Sequence, residues 1–180
     1  LIAWRGQRDA SWALHSSLYR RLCWTRPTNT QEEDLYRLEG QLLTETHRWG
    51  LHMTRGLGRL SILNQLAALQ HYGTPTRLID VTFNPLIGAW FAVEDKWDNG
   101  AATTDKDGRL FAIDVTERLI NENKLRDWAD DLRRPWRVAQ RKRGKAKNDD
   151  YKADLAREWH SGVFAWRPPH FEPRIAAQNG

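Results

Sequence analysis

An arginine followed by a glycine lies close to the start of the sequence, in the segment Trp4-Arg5-Gly6-Gln7. The apolar residues before it predict a short strand over residues 2–7 that carries Arg5 to one end. A guanidinium offers five donors in one plane, and glycine lets another group approach the main chain closely, so Arg5, Gly6 and Gln7 suit a phosphate or carboxylate ligand. An arginine in an ordinary surface turn is the alternative interpretation.

A second polar cluster lies midway along the chain, beside an apolar segment that predicts a buried strand over residues 76–81. Its polar residues are Gln70, His71, Thr74, Thr76, Arg77, Asp80 and Thr82. Buried polar groups need partners, and a ligand is one possible partner. Internal pairing of Arg77 with Asp80, with Thr82 supporting the next helix, is the other. His71 is either a general base or ribose contact, or a cap on the helix that it ends.

Basic residues are concentrated in a third segment, at about residues 133–152, which we interpret as an exposed loop or insertion. Such side chains can follow a phosphate backbone, and a tryptophan among them can stack on a base. The candidate nucleic-acid contacts are Arg134, Trp136, Arg137, Arg141, Lys142 and Arg143. A solvated loop without a partner is the alternative.

Hydrophobic periodicity predicts the elements that position these residues. Helices are expected at 11–24, 31–49, 60–72 and 86–97, and the last of these, which is largely apolar, is expected to be deeply buried. Strands are expected at 2–7, 76–81, 109–115, 162–166 and 174–178. Strands and helices that alternate this irregularly predict an α+β fold with a split or mixed β-sheet flanked by helices.

Local signals fix several of the helix ends. Thr30 with Glu33 resembles a capping box, and Asn84-Pro85 is a standard helix start. Gly73 is expected to end the helix before it, and Thr116 is expected to cap another helix. No glycine-rich phosphate loop follows a strand, which disfavours a conventional dinucleotide fold.

Composition indicates one folded domain over residues 1–180. The chain carries a net charge of +5, which favours anionic partners such as nucleotides, nucleic acid or an acidic protein face. A single cysteine, Cys23, indicates a reducing compartment, and no apolar run of membrane-spanning length or leader is visible. We therefore expect a cytoplasmic protein with no bound metal and no membrane partner, in an undetermined oligomeric state.

Three segments, in order along nearly the whole chain, resemble the FRG family, which is named for a Phe/Tyr-Arg-Gly motif. Residues 4–14 hold that motif as Trp4-Arg5-Gly6, with tryptophan as the aromatic residue. Residues 70–92 resemble the family's central signature, with Val81 where a tryptophan is expected. Residues 173–180 resemble its closing motif.

The order of these segments is similar to the layout of arginine-type ADP-ribosyltransferases, and that likeness implies NAD as the substrate. Arg5 would hold the pyrophosphate or the nicotinamide ribose, and Thr82 or Thr76 would orient that arginine and the ribose. The predicted NAD-binding residues are Arg5, Gly6, Gln7, Thr76, Arg77 and Thr82. The predicted catalytic residues are Arg5, His71, Asp80, Thr82 and Gln178.

The sequence departs from the ADP-ribosyltransferase layout at Gln178, where a glutamate is expected. Cleaving a glycosidic bond through an oxocarbenium-like state calls for a carboxylate or comparable group, so Asp80, Glu172 or His71 would have to substitute. On this interpretation the chain is an NAD-consuming transferase or hydrolase of a toxin or defence module, with protein or nucleic acid as its target. A non-catalytic module that binds a nucleotide or nucleic acid is the alternative.

Overall fold

Four helices and six short strands form the described part of the chain, which is α+β as expected. The computed structural model describes residues 1–25, 30–54, 58–94, 97–98, 101–102, 106–120 and 162–168. The elements are β1 (Ile2–Gln7), α1 (Ser17–Thr25), α2 (Glu32–Arg48), β2 (Met53–Thr54), β3 (Gly58–Arg59), α3 (Ile62–His71), α4 (Pro85–Val93), β4 (Trp97–Asp98), β5 (Ala101–Ala102) and β6 (Arg109–Asp114).

Strand β1 is the centre of the fold, because it is paired along both of its edges. On one edge it pairs antiparallel with β6, from Ile2 opposite Asp114 to Gln7 opposite Arg109. On the other edge, Trp4 exchanges two main-chain hydrogen bonds with Thr82, of 2.7 and 2.9 Å. The strands predicted at 2–7 and 109–115 are therefore confirmed, and β2–β3 and β4–β5 form two further antiparallel pairs.

Helix α4 lies against one face of β1 at very short range. A Cβ on Gly6 would lie 2.0 Å from the carbonyl oxygen of Gly88 and 2.6 Å from the amide nitrogen of Ala92, so only glycine fits there. The opposite face of α4 is open: Leu86 and Val93 are 76% and 75% exposed. The prediction of a deeply buried helix is wrong, because its burial is confined to the small residues that face β1.

Helices α1, α2 and α3 form much of the hydrophobic core. Leu18 and Leu22 of α1 pack against Leu35 of α2. Leu43 of α2 packs against a cluster on α3 that contains Leu63 and Leu66. These buried leucines recur at helical spacing, which is why the sequence predicts these three helices.

Helix α1 begins later than its periodicity predicts, and helix α2 has a different cap from the predicted one; side-chain hydrogen bonds explain both differences. Asp9 accepts hydrogen bonds from both the amide and the hydroxyl of Ser11, at 2.9 and 2.6 Å, which holds the chain in a turn until α1 begins at Ser17. Helix α2 is capped by Gln31, whose main-chain N–H donates to the carboxylate of Asp34 at 3.3 Å. The predicted capping pair was Thr30 and Glu33.

Residues 76–81 do not form the predicted strand. The main-chain groups of Thr76 are used by α1: its amide donates to the hydroxyl of Ser17, and its carbonyl accepts from the amide of Leu18 at 3.0 Å. Polar contacts to a helix thus take the place of a β-ladder, and pairing with β1 is confined to Thr82.

The last described residues contain one short pairing. Ala165 forms a parallel bridge with Leu119, where a strand was predicted over 162–166. Thr116 lies in a turn, and the predicted helix does not begin within 117–120. The strand predicted at 174–178 and the basic segment at 133–152 lie outside the described residues. Across the described ranges, none of the helices has the length and apolar character needed to cross a membrane.

Candidate functional site

A cavity of about 290 Å³ opens beside β1, between the segment 80–82 and helix α4. Residues 4–8 and Trp12 form one side, Arg20 of α1 contributes from a second direction, and Ile87, Gly88 and Phe91 of α4 form the far wall. The segment Trp4-Arg5-Gly6-Gln7 and the end of the second polar cluster therefore meet at one cavity.

The main-chain geometry of β1 explains why the hollow is there. In an antiparallel pair, alternate residues direct their N–H and C=O groups to opposite edges. Those of Trp4 face Thr82, so those of Gly6 face the same edge. The ladder stops after Thr82, and no main-chain group in the described ranges pairs with Gly6 along that edge. The chain separates from β1 at this point and leaves the peptide groups of Gly6 at the cavity.

Arg5 supplies a guanidinium that has a hydrogen-bond partner at one nitrogen and none at another among the described residues. Its Nη1 donates to the main-chain oxygen of Asp80 at 2.8 Å. Its Nε is buried, and no described residue accepts a hydrogen bond from it. Burial lowers the pKa of Arg5, the Asp80 carboxylate opposes that change, and Arg20 adds to it. A buried donor without a partner costs about 1–3 kcal/mol, so an acceptor on a ligand that reached Nε would offset that cost.

Two more arginines border the cavity. Arg20 lies near enough to Arg5 to lower its pKa, and within the described ranges no acidic side chain pairs with it. The guanidinium carbon of Arg8 lies 5.5 Å from the centre of the Trp12 ring, a cation–π contact that fixes the indole at the rim. Cations and aromatic surface therefore lie side by side.

A hydrogen-bond chain fixes Asp80. The hydroxyl of Thr76 donates to Oε1 of Gln70, and Nε2 of Gln70 donates to Oδ1 of Asp80 at 2.6 Å. Thr76 is 0% exposed, so the chain begins inside the protein and ends at the cavity. The Asp80 carboxylate accepts a hydrogen bond from Gln70, while the main-chain carbonyl of Asp80 accepts one from Arg5.

Two other residues of the second polar cluster, Arg77 and Thr82, have structural partners. Nε of Arg77 donates to the fully buried Glu39 at 2.6 Å, and its Nη1 donates to Glu32 at 2.8 Å. The alternative in which Arg77 pairs with Asp80 is therefore wrong, because Arg77 pairs with α2 instead. The hydroxyl of Thr82 accepts from the amide of Asn84 at 3.1 Å, and Thr82 also borders the cavity.

The structure places several predicted site residues apart from this cavity. His71 ends α3 and contacts Tyr72 edge-on, and neither it nor Thr76 or Arg77 is among the residues that line the hollow. The candidate residues Glu172 and Gln178, and all six candidate nucleic-acid contacts, lie outside the described residues.

Sequence reasoning did not assign Gln70, Trp12, Phe91, Arg8 or Arg20 to the site. The sequence shows Gln70 as one polar group among several, and it shows Trp12 and Phe91 as parts of motifs rather than as walls of a cavity. Arg20 carried no signal, because an arginine on a helix is usually a solvated one, and its position depends on how α1 packs.

Among the described residues, no group of three or more potential ligands could hold a metal ion.

Comparison with known protein families shows to which family this chain belongs. A family model described as FRG domain matches residues 1–100. The chain belongs to the FRG domain family. Every residue that lines the cavity lies within the matched range, so the cavity is part of the FRG domain itself. No curated protein and no solved structure gives a significant match.

The FRG domain cavity is bordered by positively charged side chains and also by hydrogen-bond acceptors. Three arginines, Arg5, Arg8 and Arg20, border it and would attract an anion. Asp80 is the one acidic residue that borders it within the described ranges, and Oε1 of the buried Gln7 is a second acceptor, without a partner among the described residues. A ligand that carries an anionic group and hydrogen-bond donors satisfies both sides.

Proposed function

We propose that this FRG domain binds a phosphate-bearing nucleotide in the cavity beside β1. The observation that carries the proposal is the state of Arg5, whose Nη1 is held by Asp80 while its Nε is buried without a partner in the described ranges. A planar guanidinium held in this way presents its Nε–Nη2 edge, which suits two oxygens of one phosphate. Arg20 adds a second positive charge on the same side.

The size and walls of the cavity support a nucleotide rather than a bare anion. Small-molecule sites enclose about 300–1,000 Å³, and a cavity of about 290 Å³ lies just below that range. It therefore suits a mononucleotide or one half of a dinucleotide. Trp12 and Phe91 offer flat apolar surfaces against which a base can stack, and such stacking contributes about 1–3 kcal/mol.

Titration calorimetry with ADP and NAD tests this proposal. Wild-type protein should bind at least one of them saturably, and Arg5→Ala and Arg20→Ala should each weaken that binding. Loss of a charged hydrogen bond costs about 1.5–3 kcal/mol, so we expect a loss of roughly tenfold or more for Arg5→Ala. Arg21→Ala is the matched control, because Arg21 also lies on α1 but stacks on Trp24 away from the cavity. Equal affinities for wild type and Arg5→Ala would refute the proposal.

Consumption of NAD is the second candidate function, and the presence of a carboxylate in the cavity favours it. In that reaction the bond between C1′ of the ribose and the nicotinamide nitrogen breaks, and nicotinamide leaves with the bonding electrons. Water or a target nucleophile bonds to C1′ and loses its proton to solvent. Asp80 would stabilise the oxocarbenium-like state, since a negative charge near the ribose lowers its energy.

Release of nicotinamide separates the two candidates. An NAD-consuming domain should release nicotinamide at a rate that Asp80→Asn and Arg5→Ala both reduce, with water or a protein or nucleic acid in a lysate as the acceptor. A binding module should take up NAD saturably without releasing nicotinamide. The basic segment at 133–152 remains a predicted nucleic-acid contact, and its test is the steepness with which added salt weakens binding.

A further inference from the structure

We propose that Gln70 and Thr76 are positioning residues that fix the Asp80 carboxylate to read the sugar hydroxyls of the ligand. The domain would then select ribonucleotides over nucleotides that lack those hydroxyls. This inference rests on the proposed nucleotide-binding function and specifies its substrate class.

The hydrogen bonds behind Asp80 run in one direction. The amide of Leu78 donates to Oγ1 of Thr76 at 3.2 Å, and the Thr76 hydroxyl hydrogen goes to Oε1 of Gln70. Because Oε1 is thereby turned toward Thr76, the NH₂ group of Gln70 is turned toward Asp80, where it donates to Oδ1 at 2.6 Å. The Asp80 carboxylate requires the NH₂ end of Gln70, because it can only accept, and the buried Thr76 hydroxyl holds the other end of the amide by donating to Oε1.

Asp80 also couples the two sides of the cavity. Its main-chain oxygen holds Nη1 of Arg5, and its carboxylate accepts from Gln70. A phosphate is drawn to Arg5 and Arg20 and repelled by the carboxylate, so it must lie on the arginine side. The group nearest Asp80 must donate hydrogen bonds, because an ionised carboxylate can only accept them.

A ribose meets this requirement. Its vicinal hydroxyls are donors that lie a few bonds from the phosphate, and an acidic side chain that accepts from a ribose hydroxyl is a recurring device of nucleotide sites. Gln7 adds a second acceptor at the same cavity, since its buried Oε1 has no partner among the described residues. Phosphate on Arg5 and sugar on Asp80 therefore use both sides of the site together.

The test compares the affinities for ADP and for 2′,3′-dideoxy-ADP, which differ in the sugar hydroxyls alone. Wild-type protein should bind ADP about tenfold or more tightly than the dideoxy compound, as expected for hydrogen bonds to a charged acceptor. Asp80→Asn and Gln70→Leu should each bring that ratio to about threefold or less. Both should bind dideoxy-ADP nearly as wild type does, because the phosphate contacts remain.

Thr76 provides the variants that distinguish positioning from general packing. Thr76→Val keeps the shape of the side chain but removes its hydroxyl, so the preference for ADP over dideoxy-ADP should fall. Thr76→Ser keeps the hydroxyl and should retain the wild-type preference. Gln41→Leu, an exposed glutamine of α2, is the control for Gln70→Leu and should leave the ratio unchanged. Melting temperatures of all variants identify any that are simply unfolded.

The outcomes separate this inference from the function on which it rests. If wild-type protein binds neither ADP nor NAD, the nucleotide-binding proposal fails and this inference fails with it. If ADP and dideoxy-ADP bind equally well, the domain binds nucleotides but Asp80 does not read the sugar. If the wild-type preference is present and Gln70→Leu retains it, Gln70 is not the positioning residue.

Discussion

Replacement of Glu39 by glutamine should destabilise the domain strongly, because Glu39 holds the segment that carries Asp80. Glu39 is fully buried in α2 and accepts from Nε of Arg77 at 2.6 Å. Removing one partner of a buried ion pair costs about 3–5 kcal/mol, since the other charge is left uncompensated. Glu39→Gln keeps the size of the side chain and removes its charge, so the loss reports on the ion pair.

The surroundings of Arg77 place the expected loss at the low end of that range. The side chain of Arg77 is 17% exposed and keeps a second partner, Glu32, at 2.8 Å. We therefore expect a loss of about 3 kcal/mol in the free energy of unfolding. For a chain of this length 1 kcal/mol corresponds to roughly 2–4 °C, so the Tm should fall by about 6–12 °C.

Urea unfolding followed by circular dichroism measures this loss, with Arg37→Ala as the matched control. Arg37 pairs with Asp34 on the surface of the same helix at 3.8 Å, and its side chain is 50% exposed, so its loss should cost less than about 1 kcal/mol. Equal effects of Glu39→Gln and Arg37→Ala would refute the view that the buried pair fixes residues 77–80.

Three further predictions concern packing and pH. Gly6→Ala should destabilise the domain by about 1–3 kcal/mol or more in urea unfolding, because its Cβ would overlap the Gly88 carbonyl; an unchanged midpoint would contradict the close contact. Hydrogen bonds from Lys106 and Ser11 lower the pKa of Asp9 to about 2, so Asp9 stabilises the fold above its unfolded pKa, and that stabilisation is lost as pH falls toward 2. Asp9→Asn should therefore be less stable at neutral pH and lose less on acidification, as followed by Tm. Burial and then the stacked His52 lower the pKa of His47, so stability should fall as pH drops through the usual value of 6.5, and this fall should be smaller in His47→Gln; equal falls would contradict it.

Local patterns were enough to predict the elements whose backbone conformation depends on their own residues. Strand β1 and strand β6 follow from short apolar runs, and α2 and α3 follow from leucines at helical spacing. The signals for each of these elements lie within a few residues of one another, so the sequence shows them directly. Each motif that resembles the FRG family is likewise a short local segment.

The parts that sequence reasoning missed depend on contacts between distant residues. Ser17 and Thr76 are 59 positions apart, and their hydrogen bonds take the main chain of residue 76 away from a β-ladder. Arg77 finds Glu39, 38 positions earlier, rather than Asp80. Arg20 reaches the cavity through the packing of α1. No local pattern encodes these partners, which is why the wrong strand and the missing arginine were errors of the same kind.

A crystal structure of the domain with ADP bound is the most direct test of the central claim. The account predicts phosphate oxygens within hydrogen-bond distance of Nε and Nη2 of Arg5, beside Arg20, with the sugar hydroxyls toward the Asp80 carboxylate. Density for the nucleotide at another surface would contradict it, as would an empty cavity at a concentration that saturates binding in solution.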